Sequence, residues 1–130
     1  MRFSVSVDPD LLEEFDETIG RLGYSRSSAV QTAMRNFLTD YKWTVEPEAN
    51  VAGAITMIYE HDVKGSMEAL THIQHQRGDV ITSTTHVHLD EHNCLEMIAV
   101  HGSVESIQRL ANELMTSKGI KQLKIVTFMI

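Results

Sequence analysis

Cysteine is nearly absent from this chain, because Cys94 is the only one in 130 residues. No disulfide can form within the chain, so a reducing cytoplasm is the expected environment, and there the thiol stays free to bind a metal ion. Long apolar runs are also missing, since no stretch approaches the ~20 residues that cross a bilayer. The amino terminus lacks the apolar core and cleavage site of a signal peptide. We therefore expect no association with a membrane.

Positive charge is scarce as well. The chain has 11 Lys and Arg against 18 Asp and Glu, a formal net charge of −7. Non-specific binding of nucleic acid depends on neutralising phosphates, so this balance argues against an indiscriminate DNA-binding protein. The charge balance does not argue against a sequence-specific DNA-binding protein whose few cationic side chains share one surface. The apolar fraction of 42% is typical of a folded protein.

The first 44 residues predict a strand followed by two helices. Residues 2–7 alternate strictly between polar and apolar side chains, as a strand with one covered face does. Asp8 and Pro9 then provide a helix cap and a first helical residue, and apolar residues follow at helical spacing. A polar turn at 24–28 precedes a second helix, which we expect to end near Tyr41.

The lone strand of this unit has no partner for its backbone groups, so we expect two copies to pair into an antiparallel ribbon. A two-stranded ribbon fits the major groove, and its polar face carries three residues suited to base edges: Arg2, Ser4 and Ser6. The start of the second helix offers free N–H groups, Arg26 and Ser27 to a phosphate. The alternative is an ordinary amphipathic strand in water. The segment resembles the ribbon-helix-helix family of transcription factors, in which the strand dimerises and reads the operator.

Residues 45–51 contain Pro47 and little periodicity, so they are interpreted as a linker between domains at 1–44 and 52–130. The second domain predicts the order β-α-β-β-α-β, which is the ferredoxin-like arrangement of helices on one face of an antiparallel sheet. Its predicted strands are 51–60, 79–89, 94–102 and 120–130, and its predicted helices are 65–76 and 104–118. The predicted fold class is α+β.

Three residues of one predicted hairpin indicate a metal site. His86 and His88 are two residues apart on a strand, so they project from the same face. The polar run 90–93 is a turn, after which Cys94 returns beside the two imidazoles. Two imidazoles and a thiolate suit Zn(II), Cu(II) or Ni(II), and affinity alone favours copper. The alternative is a buried cysteine next to surface histidines.

The helix at 65–76 supplies the expected fourth ligand, His75. A neighbouring subunit is expected to bring it, because the helix end and the sheet edge need not meet within one subunit. Glu96 shares the face of Cys94 and is a candidate to orient a bound imidazole, with Gln74 a weaker candidate. The remaining histidines are interpreted as surface or packing residues: His61, His72, His92 and His101.

Over its whole length the chain resembles the nickel-responsive repressor family. The resemblance rests on five segments: Arg2–Ser6, Tyr59–Asp62, Gln74–His75, His86–His88 and Cys94–Glu96. It implies an ACT-type second domain, and a homotetrameric core, a dimer of dimers, flanked by two ribbon-helix-helix dimers. It also implies one square-planar Ni(II) per subunit, bound by three ligands of one subunit and a helix histidine of another, here His86, His88, Cys94 and His75.

The expected function is therefore a nickel-dependent regulator, a repressor of nickel uptake genes, that binds a palindromic operator in double-stranded DNA and is not an enzyme. Lys64 corresponds to a core residue that touches the DNA backbone, although only one of an expected basic pair is evident. Ser28 and Thr32 stand where some members use carboxylates for a second cation, which argues against such a site here. The alternatives are a regulator that senses a small molecule and one that senses copper or zinc.

Overall fold

The structure is a computed structural model that describes residues 1–130. Its elements in chain order are α1 (Pro9–Leu22), α2 (Arg26–Val45), β1 (Asn50–Glu60), α3 (Ser66–Gln76), β2 (Ile81–His88), β3 (Asn93–Ser103), α4 (Val104–Met115) and β4 (Ile120–Met129). The chain divides into two compact units, Met1–Phe37 and Leu38–Ile130. No helix combines the length and the apolar character that crossing a membrane requires.

The first unit contains α1 and the first part of α2. Asp8 caps α1, since its carboxylate accepts hydrogen bonds from the N–H groups of Asp10 at 2.8 Å and Leu11 at 3.3 Å. Pro9 is the first helical residue, and Gly23 ends the helix with a φ of 76°, a conformation that favours glycine. The Ser25 hydroxyl caps α2 by accepting from the Ser28 N–H at 3.1 Å. The two helices predicted from the sequence are confirmed.

Residues 1–8 form no strand in the single chain. The apolar side chains of the predicted strand are exposed: Phe3, Val5 and Val7. A strand requires a partner for its backbone groups, and one copy of the chain provides none. The strand at 2–7 therefore stays a prediction about two paired copies.

The junction after α2 is more ordered than the predicted linker. The helix continues past Tyr41 to Val45, and the carbonyl of Trp43 accepts a hydrogen bond of 2.9 Å from the Gln108 side chain on α4. The carbonyls of Pro47 and Ala49 accept hydrogen bonds from the first N–H groups of α4, at 2.9 and 3.0 Å. The residues predicted as linker thus include a helix end, a turn fastened to α4 and the start of β1.

The second unit is a four-stranded antiparallel sheet in the order β2-β3-β1-β4, with α3 and α4 completing the predicted β-α-β-β-α-β order. Alternate residues of β1 and β3 meet the apolar face of α4 in a single core. Its fully buried members include Ile55, Ile98, Ile107, Leu110 and Leu114. The opposite face of the sheet leaves large apolar side chains exposed, namely Met97, Val126 and Phe128.

Candidate metal centre

The register of β2 against β3 places the predicted donors on one face of the sheet. His86 pairs with Glu96, and His88 pairs with Cys94. Directly opposed residues of an antiparallel pair share a face, so all four side chains project to the same side. Cys94 and Glu96 are buried there at 0% and 7% exposure. The face is therefore the one that the helices cover.

The hairpin loop between these strands is closed by Asp90. Its carboxylate accepts hydrogen bonds of 2.8 Å from the N–H groups of His92 and Asn93, and one of 2.9 Å from the Asn93 side chain. The Asn93 amide, followed by the two backbone N–H groups, lowers the pKa of Asp90 to about 2. The loop thus holds the strand ends that carry His88 and Cys94 side by side.

The closest group of donors in the single chain consists of His61, His88 and Cys94. One donor atom from each lies within 4.8 Å of the other two. The Cys94 sulfur is 3.7 Å from Nδ1 of His88, and the rings of His61 and His88 are 5.5 Å apart. Metal–donor bonds of about 2.0–2.3 Å place the ligands of one ion within roughly 4.6 Å of each other. The spacing of this triple is thus close to that of a shared ion.

His86 lies beside this group but faces another partner. Its Nε2 is 3.4 Å from the Tyr59 hydroxyl, although its ring centre is only 5.3 Å from that of His88. Burial, together with the Glu96 charge, raises the pKa of Tyr59 to about 12, so this hydroxyl keeps its proton. His86 is thus not one of the three residues whose donor atoms lie within 4.8 Å of one another.

The thiol of Cys94 is fully buried, and burial raises its pKa above the ordinary value. The hydrogen bond with Tyr59 acts in the opposite direction. A thiol in this environment is protonated at neutral pH, and it becomes a thiolate when a metal replaces the proton. Once the thiol has lost its proton, one thiolate and two imidazoles form a donor set that fits a divalent transition metal.

His75 does not join the other donors within one chain. It is exposed on α3 and lines a cavity of 340 Å³ together with His86 and Glu96. The two residues predicted to orient a bound imidazole contact each other instead, because the Gln74 amide donates to the Glu96 carboxylate at 2.9 Å. The roles of His75, Glu96 and Gln74 at a metal site thus stay predictions.

From the sequence pattern, His61 is interpreted as a surface or packing residue and not as a ligand. It lies just beyond β1, and that strand pairs with β3 so that Tyr59 is opposite Cys94. The His61 N–H donates to the carbonyl of His92 at 3.1 Å, which fixes His61 at the end of the hairpin. This neighbourhood depends on a pairing between strands that are distant in sequence, and no local spacing reveals it.

Among the predicted DNA-contacting residues, Arg2, Ser4 and Ser6 are exposed. Arg26 forms a two-point ion pair with Asp16, with Nη2–Oδ2 2.6 Å and Nε–Oδ1 3.1 Å. The Asp16 carboxylate raises the pKa of Arg26, and its negative charge offsets part of the positive charge at this position. Ser27 accepts a hydrogen bond of 3.3 Å from the Gln31 amide.

Lys64 is exposed in the loop before α3, and a second exposed lysine lies in the loop before β4. Gly119 lies close to the first residue of α3, since a Cβ added there would lie 2.8 Å from the Ser66 hydroxyl. The Gly119 carbonyl also accepts from the Glu60 N–H at 2.8 Å. The exposed neighbour of Gly119 is Lys118, a basic residue that the sequence patterns did not single out.

Residues 52–128 match the model of the NikR C terminal nickel binding domain, and residues 1–41 match that of the ribbon-helix-helix protein, CopG family. The chain belongs to the family of nickel-responsive regulators. The family resemblance and the α+β fold class predicted from the sequence are both confirmed. The chain is thus a DNA-binding regulator with a nickel-binding domain, in a family of regulators rather than enzymes.

Two relatives of this family illustrate the extent of the similarity. A protein of Dictyoglomus thermophilum is 52% identical over 126 residues, which cover 96% of this chain and 93% of that protein. One of Pyrococcus horikoshii is 44% identical over 127 residues, which cover 97% and 91%. Each is described as a "Putative nickel-responsive regulator".

Solved structures support the fold of the second unit. The ACT domain from GTP pyrophosphokinase of Chlorobium tepidum aligns with a TM-score of 0.50 at 14% identity, over 60% of this chain and 100% of that one. An uncharacterized protein of Thermotoga maritima aligns with a TM-score of 0.55 at 15% identity, over 60% and 96%. These likenesses show an ACT-like fold only.

Proposed function

We propose that the protein is a nickel-dependent transcriptional regulator in which Ni(II) bound between subunits controls how its amino-terminal units hold an operator. The observation that carries the proposal is the β2–β3 register, which brings His86, His88 and Cys94 to one face of the sheet. Two imidazoles and a thiolate form the donor set that a divalent ion such as Ni(II) accepts. Proteins similar to this chain over nearly their whole length are described as nickel-responsive.

The proposed ligands are His86, His88 and Cys94 of one subunit and His75 of a second copy, with one Ni(II) per subunit. Two features support this division of the ligands between two subunits. His75 is exposed on α3, and strand pairing does not place it beside the hairpin residues. An exposed histidine on a helix is available to another molecule, whereas the three hairpin residues have their geometry fixed by strand pairing.

A bound ion would act as a cross-link between subunits. On the protein side, Cys94 loses its proton, His88 and His86 present neutral nitrogens, and α3 is held with His75 at the metal. Coupling between two binding sites is reciprocal. An ion that raises the affinity of the protein for DNA is therefore itself bound with higher affinity by the DNA-bound protein. A coupling free energy of about 1–3 kcal/mol is the usual range.

The proposed assembly is a homotetramer made from two dimers. Two apolar surfaces that the single chain leaves open support it. One is the amino-terminal segment with Phe3 and Val5, which are 64% and 70% exposed. The other is the open face of the sheet with Val126 and Phe128, at 57% and 60%. Apolar patches of this kind are characteristic of interaction surfaces, and two separate patches allow each chain to contact two others.

The proposed DNA target is a palindromic double-stranded operator, because a two-fold symmetric dimer presents two equivalent reading surfaces. Arg2, Ser4 and Ser6 would contact bases from the paired ribbon, and Arg26 and Ser27 would contact phosphates. Lys64 and the exposed Lys118 would add contacts to the DNA backbone. The proposed role is repression of nickel uptake genes, carried out in the cytoplasm.

The decisive experiment is a gel-shift on the protein's own promoter, with and without Ni(II), for wild type, His88→Ala and His72→Ala. His72 is an exposed histidine of α3 and serves as the matched control. We expect nickel to tighten DNA binding for wild type and His72→Ala, and to have no effect on His88→Ala. Equal shifts in every lane would refute nickel dependence.

A second candidate is a zinc-responsive regulator with the same scaffold. The observation that favours it is the triple His61, His88 and Cys94 within one subunit, since three donors and a water form a common tetrahedral zinc site. Comparing His61→Ala with His86→Ala separates the two. For the nickel site we expect His86→Ala to weaken nickel affinity at least about tenfold, since loss of even a residue that only orients a ligand costs about that much, and His61→Ala to change it far less. The reverse order would favour the triple with His61 as the binding site, and zinc-titrated DNA binding would then test the zinc regulator.

A further inference from the structure

The helix that carries His75 is weakly embedded in the second unit. Only Ser66 and Leu70 of its 11 residues are buried, and both precede its last turn. In the last turn, which carries His75, only the partly buried Ile73 packs against the core, so side-chain contacts also contribute to the position of this turn. Local stability of this kind decides how readily a segment departs from its folded position.

Arg77, the residue that follows α3, links the last turn of this helix to α4 through an ion pair with Glu113. The Arg77 Nε is 3.4 Å from Oε2 of Glu113, and its Nη2 contacts the other carboxylate oxygen, so the guanidinium engages both oxygens. The two side chains are 28% and 33% exposed, so the pair is shielded from much of the solvent. Each partner shifts the pKa of the other toward the charged form, with Arg77 raised and Glu113 lowered. A two-point pair of this kind restricts orientation as well as distance.

The backbone of Arg77 also links α3 to β2. Its N–H donates to the carbonyls of Ile73 and Gln74 at 3.2 Å, which ends α3. Its carbonyl accepts from the N–H groups of Val80 at 3.1 Å and Ile81 at 3.2 Å, where β2 begins. Arg77 is therefore the point at which the helix bearing His75 meets the strand bearing His86 and His88.

We propose that the Arg77–Glu113 ion pair positions His75, and that it thereby sets the affinity of the protein for nickel. The inference rests on the proposed role of His75 as a metal ligand. Glu113 is a suitable anchor because the neighbouring residues Leu110 and Leu114 are fully buried against the sheet. With the pair in place, the last turn of α3 is held before the ion arrives, so less ordering accompanies binding. Arg77 and Glu113 are positioning residues and do not touch the ion.

The test uses the full chain and the variants Glu113→Gln, Arg77→Gln and their double variant. The control is Glu105→Gln, because Glu105 pairs with Arg109 at 3.1 Å on the same helix and is exposed. Two quantities are measured, namely hydrogen exchange of the amides of residues 70–77 without nickel, and nickel affinity by competition with a chelator.

For Glu113→Gln we expect faster exchange in the last turn of α3 and a nickel affinity weakened about twofold to fivefold, as loss of a partly exposed ion pair gives. The number of ions bound per subunit stays the same. Because the two residues act together, the double variant should be weakened by the same factor as each single one. Glu105→Gln should match wild type in both measurements.

The inference is overturned if Glu113→Gln matches Glu105→Gln in both exchange and affinity, or if the effects of the single variants multiply in the double one. His75→Ala separates this failure from failure of the proposed function. If His75→Ala weakens nickel binding while Glu113→Gln does not, only the positioning role fails. If His75→Ala leaves nickel binding unchanged, the proposed ligand set fails, and the positioning inference fails with it.

Discussion

Gln74 on α3 donates a hydrogen bond of 2.9 Å to Glu96 on β3, a residue that is only 7% exposed. This bond joins the helix that carries His75 to the strand that carries Cys94. It also provides a partner for a carboxylate in a place with little access to water, where an unpaired charge is costly.

Replacing Gln74 with leucine should destabilise the second unit. The substitution removes the amide and leaves the Glu96 carboxylate buried without that partner, which costs about 1–3 kcal/mol. Urea unfolding of the nickel-free protein measures the change. Gln76→Leu, at an exposed position of the same helix, is the control and should cost far less. Equal losses for the two variants would show that the bond to Glu96 contributes nothing.

The shared sheet face of His86, His88 and Cys94 could be predicted from the sequence because their arrangement is local. A period of two residues places His86 and His88 on one face, and a short polar turn then limits the position of Cys94 on the returning strand. The position of His61 could not be predicted in the same way. It follows from pairing between β1 and β3, whose partners Tyr59 and Cys94 are far apart in sequence.

The amino-terminal strand and the end of α2 depend on tertiary or intermolecular contacts, which the local sequence pattern does not predict. The alternation at residues 2–7 predicts a strand, but a strand forms only where another backbone pairs with it, and the single chain lacks one. Helix α2 extends beyond its predicted end near Tyr41 to Val45. In this extension the carbonyl of Trp43 accepts a hydrogen bond from the Gln108 side chain of α4. Tertiary contacts of this kind override local propensity.

The loop that joins β2 to β3 should lose its order only in strong acid. Hydrogen bonds from Asn93 and His92 lower the folded pKa of Asp90 to about 2, from an ordinary value of 3.8. A lowered folded pKa means that the stabilisation is complete above the ordinary value and is lost as the pH falls toward about 2. Titrating the Asn93 amide by NMR should give a midpoint near the lower value. Asp90→Ala should abolish this titration and Glu91→Ala should preserve it, whereas a wild-type midpoint near 3.8 would contradict the role of these bonds.

Nickel affinity should rise with pH through the ionisation of Cys94. Burial raises the pKa of this thiol, so the nickel-free protein is protonated there at neutral pH and each bound ion must release that proton. Affinity should therefore increase about tenfold per pH unit from this group alone between about pH 7 and 8, below the raised pKa. Chelator competition at several pH values measures the slope, and calorimetry in two buffers counts the released protons. A slope near zero would show that the thiol is ionised before the metal arrives.

The ion pair between Asp16 and Arg26 should limit binding to unrelated DNA. Its two contacts, 2.6 and 3.1 Å long, partly neutralise a cation at the start of α2 that is expected to approach a phosphate. Asp16→Asn should free the guanidinium, tighten binding to a duplex without the operator, and steepen the dependence of log affinity on log salt by about 0.9 for the phosphate gained. Fluorescence anisotropy across a salt series measures both. Glu17→Gln removes the same charge from the carboxylate that pairs with Arg21 on α1, so it reproduces the change in net charge without releasing Arg26. If the two variants steepen the slope equally, the effect belongs to net charge alone, and Arg26 does not contact the phosphate.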